Sequence, residues 1–357
     1  MTNLTENDVR ETLRRVNDPE LHQDLVALNM VKAVAICDGH VKVTVELTTP
    51  ACPLKDTISK DVQREVCKLD AVQAVEVDFT ARVVGTQRDR TVLKDVKNIV
   101  AVGAGKGGVG KSSIAVALAV GLARSGASVG LMDGDVYGPS VPTMMGLKDS
   151  QPSVRENQIM PIEAFEVKTI SIGYMVEADK ALVWRGPMVH GVTKQFLEQV
   201  EWGELDYLIV DLPPGTGDVV LTMSQLVPLT GAVIVCTPQE VALADTRRAV
   251  AMFNQVNVPV LGLVENMSYF VGDDGKEYDI FGRGGAKSVA EQLELPFMGE
   301  VPINTAIRVN SDAGRPDRNF EADDALSASL DAMVKNIAGQ ITIRNLLKTA
   351  PIELEQS

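Results

Sequence analysis

The sequence predicts an α/β protein: a doubly wound, mostly parallel sheet preceded by a small α+β domain. Three observations carry that expectation. Short apolar runs recur at Ile99–Val102, Val129–Met132, Tyr207–Val210, Ala232–Cys236, Val258–Val264 and Phe297–Pro302, as strands buried on both faces require. The first run breaks into a glycine-rich loop, and a helix-forming segment follows from Lys111. Upstream, residues 1–85 order as α-β-β-α-β, with a last strand in which apolar and acidic residues alternate.

Composition bounds what such a chain does. Its 357 residues, 45% of them hydrophobic, are enough for two domains. A net charge of −14 argues against nucleic-acid binding, which needs a basic face. No apolar run reaches membrane-spanning length, and the polar start MTNLTENDVR does not read as a signal peptide, so no membrane partner is expected. Cys37, Cys52, Cys67 and Cys236 lie far apart without a CxxC, which suits a reducing, cytoplasmic setting. His22, His40 and His190 show no metal-ligand spacing.

In the small domain, Thr5 with Asp8 reads as a capping box opening a helix whose apolar face is Val9, Leu13 and Val16. Val31–Cys37 and Val41–Leu47 read as strands joined by the two-residue turn Asp38-Gly39. A second helix from Lys55 to Leu69 carries the stripe Ile58, Val62, Val66 and Leu69, and a strand with Val75, Val77 and Phe79 closes the unit. Cys52 lies just before the second helix. A helix N-terminus favours thiolate, which makes Cys52 the candidate reactive or metal-binding cysteine; a buried cysteine beside a turn is the alternative. Residues 86–97 are charged and without period, a linker, and residues 98–340 form the large domain, with 341–357 as its tail.

Within the large domain Gly105, Gly110, Lys111 and Ser112 fit G-x-x-x-x-G-K-[ST]. Glycines let the loop wrap a phosphate chain with its N–H groups inward, and the helix N-terminus adds positive potential. Gly105, Lys106, Gly107, Gly108, Val109, Gly110, Lys111, Ser112 and Ser113 are therefore the expected nucleotide-binding residues. Lys111 would reach the β- and γ-phosphates, and the Ser112 hydroxyl would ligate Mg²⁺. Asp133 and Asp135 end the next strand, where α/β sheets place their ligands. Asp133 also suits capping of the strand-to-loop turn. Tyr207–Asp211 is an apolar strand ending in an acid placed to hold Mg²⁺, and Gly215 and Gly217 would let the following loop move. Residues 141–180 read as loop-rich, Trp184-Arg185-Gly186-Pro187-Met188 opens a helix reaching Val200, and Leu326–Ala338 and Ile343–Lys348 read as partly helical.

The motifs GKGGVGKSS, DGDVYGPS, WRGPM, DLPPGTGD, TPQEVAL, NMSYF and IFGRGG resemble the Mrp/ApbC-type P-loop ATPases. These are iron–sulfur cluster carriers related to the Min and Par ATPases and to the nitrogenase iron protein, and the likeness covers essentially the whole chain. The resemblance implies an ATP- and Mg²⁺-using ATPase that works as a homodimer and delivers iron–sulfur clusters to client apoproteins. It implies that Lys106 crosses to the partner's nucleotide, so Lys106, Lys111 and Asp135 are the catalytic candidates, with Asp135 positioning the attacking water. Asn266 would read the adenine edge, for which an amide that both donates and accepts is suited. Arg185 would face a nucleotide or partner, or form a structural ion pair. The N-terminal domain resembles that of cytosolic iron–sulfur assembly factors and PaaD-like proteins, in which the cysteine matching Cys52 is linked to cluster work.

One departure stands out. Cluster-carrying members usually have a CxxC after NMSYF, but here the chain reads Val271-Gly272-Asp273-Asp274-Gly275. Carboxylates replace thiolates poorly on such a cluster, so Cys52 is the remaining candidate ligand. Two other functions fit the motifs: a nucleotide-switched adaptor holding no cluster, and a Min/Par-like positioning ATPase. The acidic C-terminus lacks the basic tail the latter would need.

Overall fold

The structure, a computed structural model, describes residues 4–19, 21–37, 39–85, 92–176, 186–215, 218–272 and 274–349. The chain divides into two compact units, one of residues 1–84 with 342–357 and one of residues 85–341.

The small unit contains α1 (Glu6–Leu13), β1 (Val31–Cys37), β2 (His40–Leu47), α2 (Lys55–Val66) and β3 (Ala74–Ala81). The Thr5 capping box forms in both directions, its hydroxyl accepting from the Asp8 N–H and the Asp8 carboxylate accepting from the Thr5 N–H. β1 and β2 are antiparallel, with Gly39 at φ +80° in the turn, where only glycine is unstrained. β3 pairs parallel to β2. Val9, Leu13 and Val16 meet Val41, Val43 and Val45 and the α2 stripe Ile58, Val62 and Val66 in one core. Helix α2 stops at Val66, three residues before the expected end, and Leu69 still packs against that core.

The large unit begins with β4 (Val96–Gly103), so the regular structure starts inside the segment read as a linker; Val92 and Leu93 already pack against its core. There follow α3 (Lys111–Arg124), β5 (Val129–Asp133), α4 (Val141–Met144) and a two-stranded ribbon of β6 (Val154–Arg155) and β7 (Gln158–Ile159). Next come β8 (Ile162–Ala164), β9 (Val167–Ile170), α5 (Gly186–Glu198), β10 (Leu205–Asp211), α6 (Asp218–Leu226) and β11 (Gly231–Cys236). The unit ends with α7 (Glu240–Gln255), β12 (Val260–Val271), β13 (Glu277–Tyr278), α8 (Gly285–Gln292), β14 (Phe297–Ile303), α9 (Thr305–Asp312) and α10 (Asp324–Thr349), the last running on past Ile341.

These strands form a nine-stranded sheet in the order β13-β12-β11-β4-β10-β5-β9-β8, with β14 also on β12. Only β8 and β13 pair antiparallel; the other pairs are parallel. β10 lies between β4 and β5, and the register sets Asp211 opposite Val102 on one side and Asp133 on the other. The P-loop leaves β4 at the same edge. Two regions differ from the sequence reading. The stretch read as loop-rich contributes β8 and β9, strands too short to show a period. The C-terminal helices are one continuous α10, because Ile337, Ala338, Ile341 and Asn345 keep one buried face across Gly339. The helix thus runs through residue 341 to Thr349, where a separate tail was expected. Asn345 donates to the Val84 carbonyl at 2.7 Å within the small unit.

Candidate nucleotide-binding site

The loop between β4 and α3 is shaped by two glycines that no other residue could replace in place. A Cβ on Gly105 would run into the main chain of Asp245 in α7. Gly110 caps α3 in the left-handed region at φ +81°, and a Cβ there would strike the Asn266 amide. Helix α3 is apolar nearly all round and buried from Ile114 to Ala123, so its N-terminus is rigidly aimed at the loop. Lys106, Gly107, Gly108, Gly110, Lys111, Ser112 and Ser113 line a cavity of about 240 Å³ together with Asp135, Ser140, Met144 and Pro214. Two larger hollows, of about 560 and 450 Å³, lie away from this loop and gather no such set of phosphate-binding groups.

Lys111 is the centre of the charges. Its ammonium lies 2.5 Å from Asp211 Oδ1, 3.8 Å from an Asp135 oxygen and 3.3 Å from the Ser112 hydroxyl. Asp211 is fully buried, and burial raises its pKa against the opposing charge of Lys111. Asp135, half-buried, is also raised by burial and lowered by Lys111. A phosphate chain would compete with these carboxylates for the Lys111 ammonium through charge-assisted hydrogen bonds.

The fit to a divalent cation can be tested on the donors themselves. Asp211 Oδ2 is buried and has no hydrogen-bond partner among the described residues. A buried carboxylate oxygen without a donor is costly, and a hard cation with oxygen ligands satisfies it. Asp211 and the Ser112 hydroxyl are therefore the residues suited to Mg²⁺.

Asp133 has a different part. Its carboxylate accepts from the Ser171 hydroxyl at 2.8 Å and from the N–H groups of Asp135 and Val141 at 3.2 and 3.3 Å. It fastens both ends of the loop that carries Asp135, as the turn-capping alternative required. Burial first, and then the Asp211 charge, push its pKa up to about 7.

Asn266 lies in β12, which runs on through the residues expected to follow that strand. Its Nδ2 donates to the Val109 carbonyl at 2.8 Å, so the side chain braces the P-loop itself. Lys106 is half-buried in the cavity wall, with no ion pair among the described residues. Ser140, whose hydroxyl lies 3.3 Å from that of Ser112, escaped the sequence reading, as did the buried Glu265 beside Asn266. The motif DGDVYGPS contains the first, and an acid inside an apolar run was the available signal for the second. Arg185, Thr216 and Gly217 lie outside the described residues.

Of the cysteines, Cys236 is buried in β11, its thiol pushed up to about 12 by burial. Cys52 is half-buried against the small unit's core, three residues ahead of α2, while Cys37 and Cys67 are exposed. Among the described residues no group of three or more His, Cys, Asp or Glu could hold a metal ion. No described helix is long and apolar enough to cross a membrane.

A parallel sheet with a glycine loop over the N-terminus of α3, a lysine in that loop and an acid closing the neighbouring strand define a P-loop NTPase. Residues 95–338 match the ParA family described as NUBPL iron-transfer P-loop NTPases, and the chain belongs to that family. Residues 6–79 match the iron–sulfur cluster assembly protein family. An iron–sulfur cluster carrier protein of Deinococcus radiodurans is 51% identical over 336 residues, 94% of this chain and 95% of the relative. One of Synechocystis is 46% identical over 352 residues, covering 96% of this chain and all of the relative. Among solved structures, a nucleotide-binding protein of Archaeoglobus fulgidus in complex with ADP is 38% identical. It superposes with a TM-score of 0.58 over 66% of this chain and 92% of its own.

Proposed function

We propose that this protein binds and hydrolyses ATP with Mg²⁺ and uses the nucleotide cycle to carry iron–sulfur clusters to apoproteins. The observation that carries the reading is the Lys111–Asp211 pair at the floor of a glycine-lined cavity that also contains Asp135. The ADP complex of the Archaeoglobus fulgidus protein supports the nucleotide, and the names of the carrier relatives support the cargo. Bound Mg²⁺ would neutralise phosphate charge as the terminal phosphoryl group leaves. Lys111 holds the β- and γ-phosphates, the loop N–H groups orient the chain, and Asp135 positions the attacking water. Asn266, which braces the loop from behind through the Val109 carbonyl, would be the base-side residue.

A homodimer fits the surface. Tyr137, Met188, Leu221 and Val241 are large, exposed and apolar. They follow the C-terminal ends of β5, β9, β10 and β11, the edge at which the P-loop lies. Lys106 sits at that edge and would reach the partner's nucleotide.

The cluster itself is cargo. Cys52, three residues ahead of α2, is its proposed ligand, and one thiolate cannot hold a cluster. The remaining ligands then come from a second copy or from a small thiol, which makes the cluster labile. Anaerobic reconstitution with iron and sulfide tests this. Wild type should gain the visible iron–sulfur absorption, and Cys52→Ser should lose it while keeping ATPase activity. Full cluster content in the variant removes Cys52 as a ligand. No uptake by wild type makes the nucleotide-switched adaptor the better description.

A further inference from the structure

Glu265 is a fully buried carboxylate in β12 to which nucleotide chemistry assigns nothing. Three donors among the described residues meet it. Oε1 accepts from the Ser268 hydroxyl at 2.6 Å and the Gly284 N–H at 2.8 Å, and Oε2 accepts from the Ala286 N–H at 2.7 Å. Gly284 is the N-cap of α8, at φ +78°, so the carboxylate closes the positive end of that helix. A Cβ on Gly285 would strike the Pro238 carbonyl and Leu243. The motif Ile280-Phe281-Gly282-Arg283-Gly284-Gly285 is thereby explained as a turn that brings two N–H groups onto a side chain in the neighbouring strand.

The next residue along the strand is Asn266, whose amide holds the Val109 carbonyl of the P-loop. The strand is under local strain just there. Met267 takes φ +56°, and the register with β14 shifts between Asn266 and Phe270. A strained strand segment relaxes unless its neighbours are fixed, and Glu265 is a side chain that fixes this one. We propose that Glu265 is a positioning residue for nucleotide binding: by fastening the middle of β12 to the start of α8 it holds Asn266, and through it the P-loop, in the shape that receives a phosphate chain. The proposal rests on the nucleotide-binding reading above. Anchoring of α8 alone would be the purely structural role.

A double-mutant cycle on nucleotide affinity separates the two. ATP and GTP dissociation constants are measured for wild type, Glu265→Gln, Asn266→Ala and the double variant, with thermal unfolding of each. Glu265→Gln replaces an oxygen facing a backbone N–H by an amide that cannot accept, and should weaken ATP and GTP alike by about tenfold. In the Asn266→Ala background the same change should cost little more, because the brace is already gone. Fully additive losses, or unchanged affinity in a folded Glu265→Gln, would overturn the proposal, as would a loss confined to ATP. Should Glu265→Gln not fold, Ser268→Ala removes one donor and should weaken both nucleotides about threefold; unchanged affinity there also overturns it. Failure of wild type to bind any nucleotide would sink the nucleotide-binding reading, and this proposal with it.

Discussion

The two regions with chemistry to offer, the P-loop edge of the large unit and the Cys52 turn of the small one, are built on opposite plans. At the P-loop edge, strands β4, β5, β10 and β12 each deliver a functional group, and each group is fixed by another: Lys111 by Asp211, Asp133 by Ser171, Asn266 by Val109. Charge, counter-charge and brace come from one chain. Cys52 is a single thiol beside a helix start, in a unit that offers no group of three metal-binding side chains among its described residues. A tightly held polyanion needs donors fixed in advance, so the cost of ordering them falls on folding. A cargo that must be handed on is better served by few ligands, some of them borrowed. On the proposed function, the difference follows from what each region would have to release.

Lys111→Ala is the change that should break the first plan most completely. It removes the cation from the phosphates and leaves Asp211 as a buried, unpaired acid. Nucleotide affinity should fall by at least about a hundredfold, and the nucleotide-free protein should lose about 3 kcal/mol of stability. Calorimetric titration with ATP and a denaturant melt read the two effects separately. Near-normal ATP affinity in a folded variant would defeat the site.

How much of this could be read in the sequence depends on how local the cause is. The P-loop, Asp211 and the strands that carry them were legible because each is set by a short pattern: a glycine spacing, an apolar run, an acid at its end. The capping box at Thr5 and the turn at Gly39 were legible for the same reason. Strands β8 and β9 were not, since three or four residues carry no period and gain their strand character by pairing, β9 with β5 and β8 with β9. The unbroken helix α10 was hidden by Gly339, whose local cost of about 1 kcal/mol is outweighed by the buried face on either side. The turn-capping part of Asp133 was legible, but its Ser171 contact and the Gly284 contact of Glu265 come from donors 38 and 19 residues away, which a sequence does not pair.

Lys106→Ala sharpens the comparison by asking whether the P-loop edge is complete in one chain. Lys111 and the loop N–H groups remain, so ATP affinity should stay within about threefold of wild type. Hydrolysis and ATP-dependent dimerisation should be lost, because the proposed target of Lys106 is the nucleotide of the second copy. Sedimentation with a non-hydrolysable ATP analogue reads the second effect directly. An unchanged monomer–dimer balance would return Lys106 to the wall of its own cavity and leave the exposed Tyr137, Leu221 and Val241 unexplained.

The smallest effect concerns the brace beneath the loop. Asp133 has its carboxyl pushed from the ordinary 3.8 up to about 7, by burial first and by the Asp211 charge second. The folded state therefore holds a proton that the unfolded chain gives up near pH 4. Stability from this group is full below that pH, falls as pH rises towards 7, and stays lost above it. Asp133→Asn is neutral throughout. Its amide can donate to the Ser171 oxygen, because a hydroxyl can reverse roles, and its carbonyl keeps the Asp135 N–H; only the long bond from Val141 is given up. The variant should therefore gain on wild type by about 3 kcal/mol between pH 5 and pH 8, whatever its offset at pH 5. Denaturant melts of the nucleotide-free protein at the two pH values measure that difference. Parallel pH profiles for the two proteins would mean that Asp133 stays ionised across the range, and that its charge is held by the Ser171 hydroxyl and the two loop N–H groups alone.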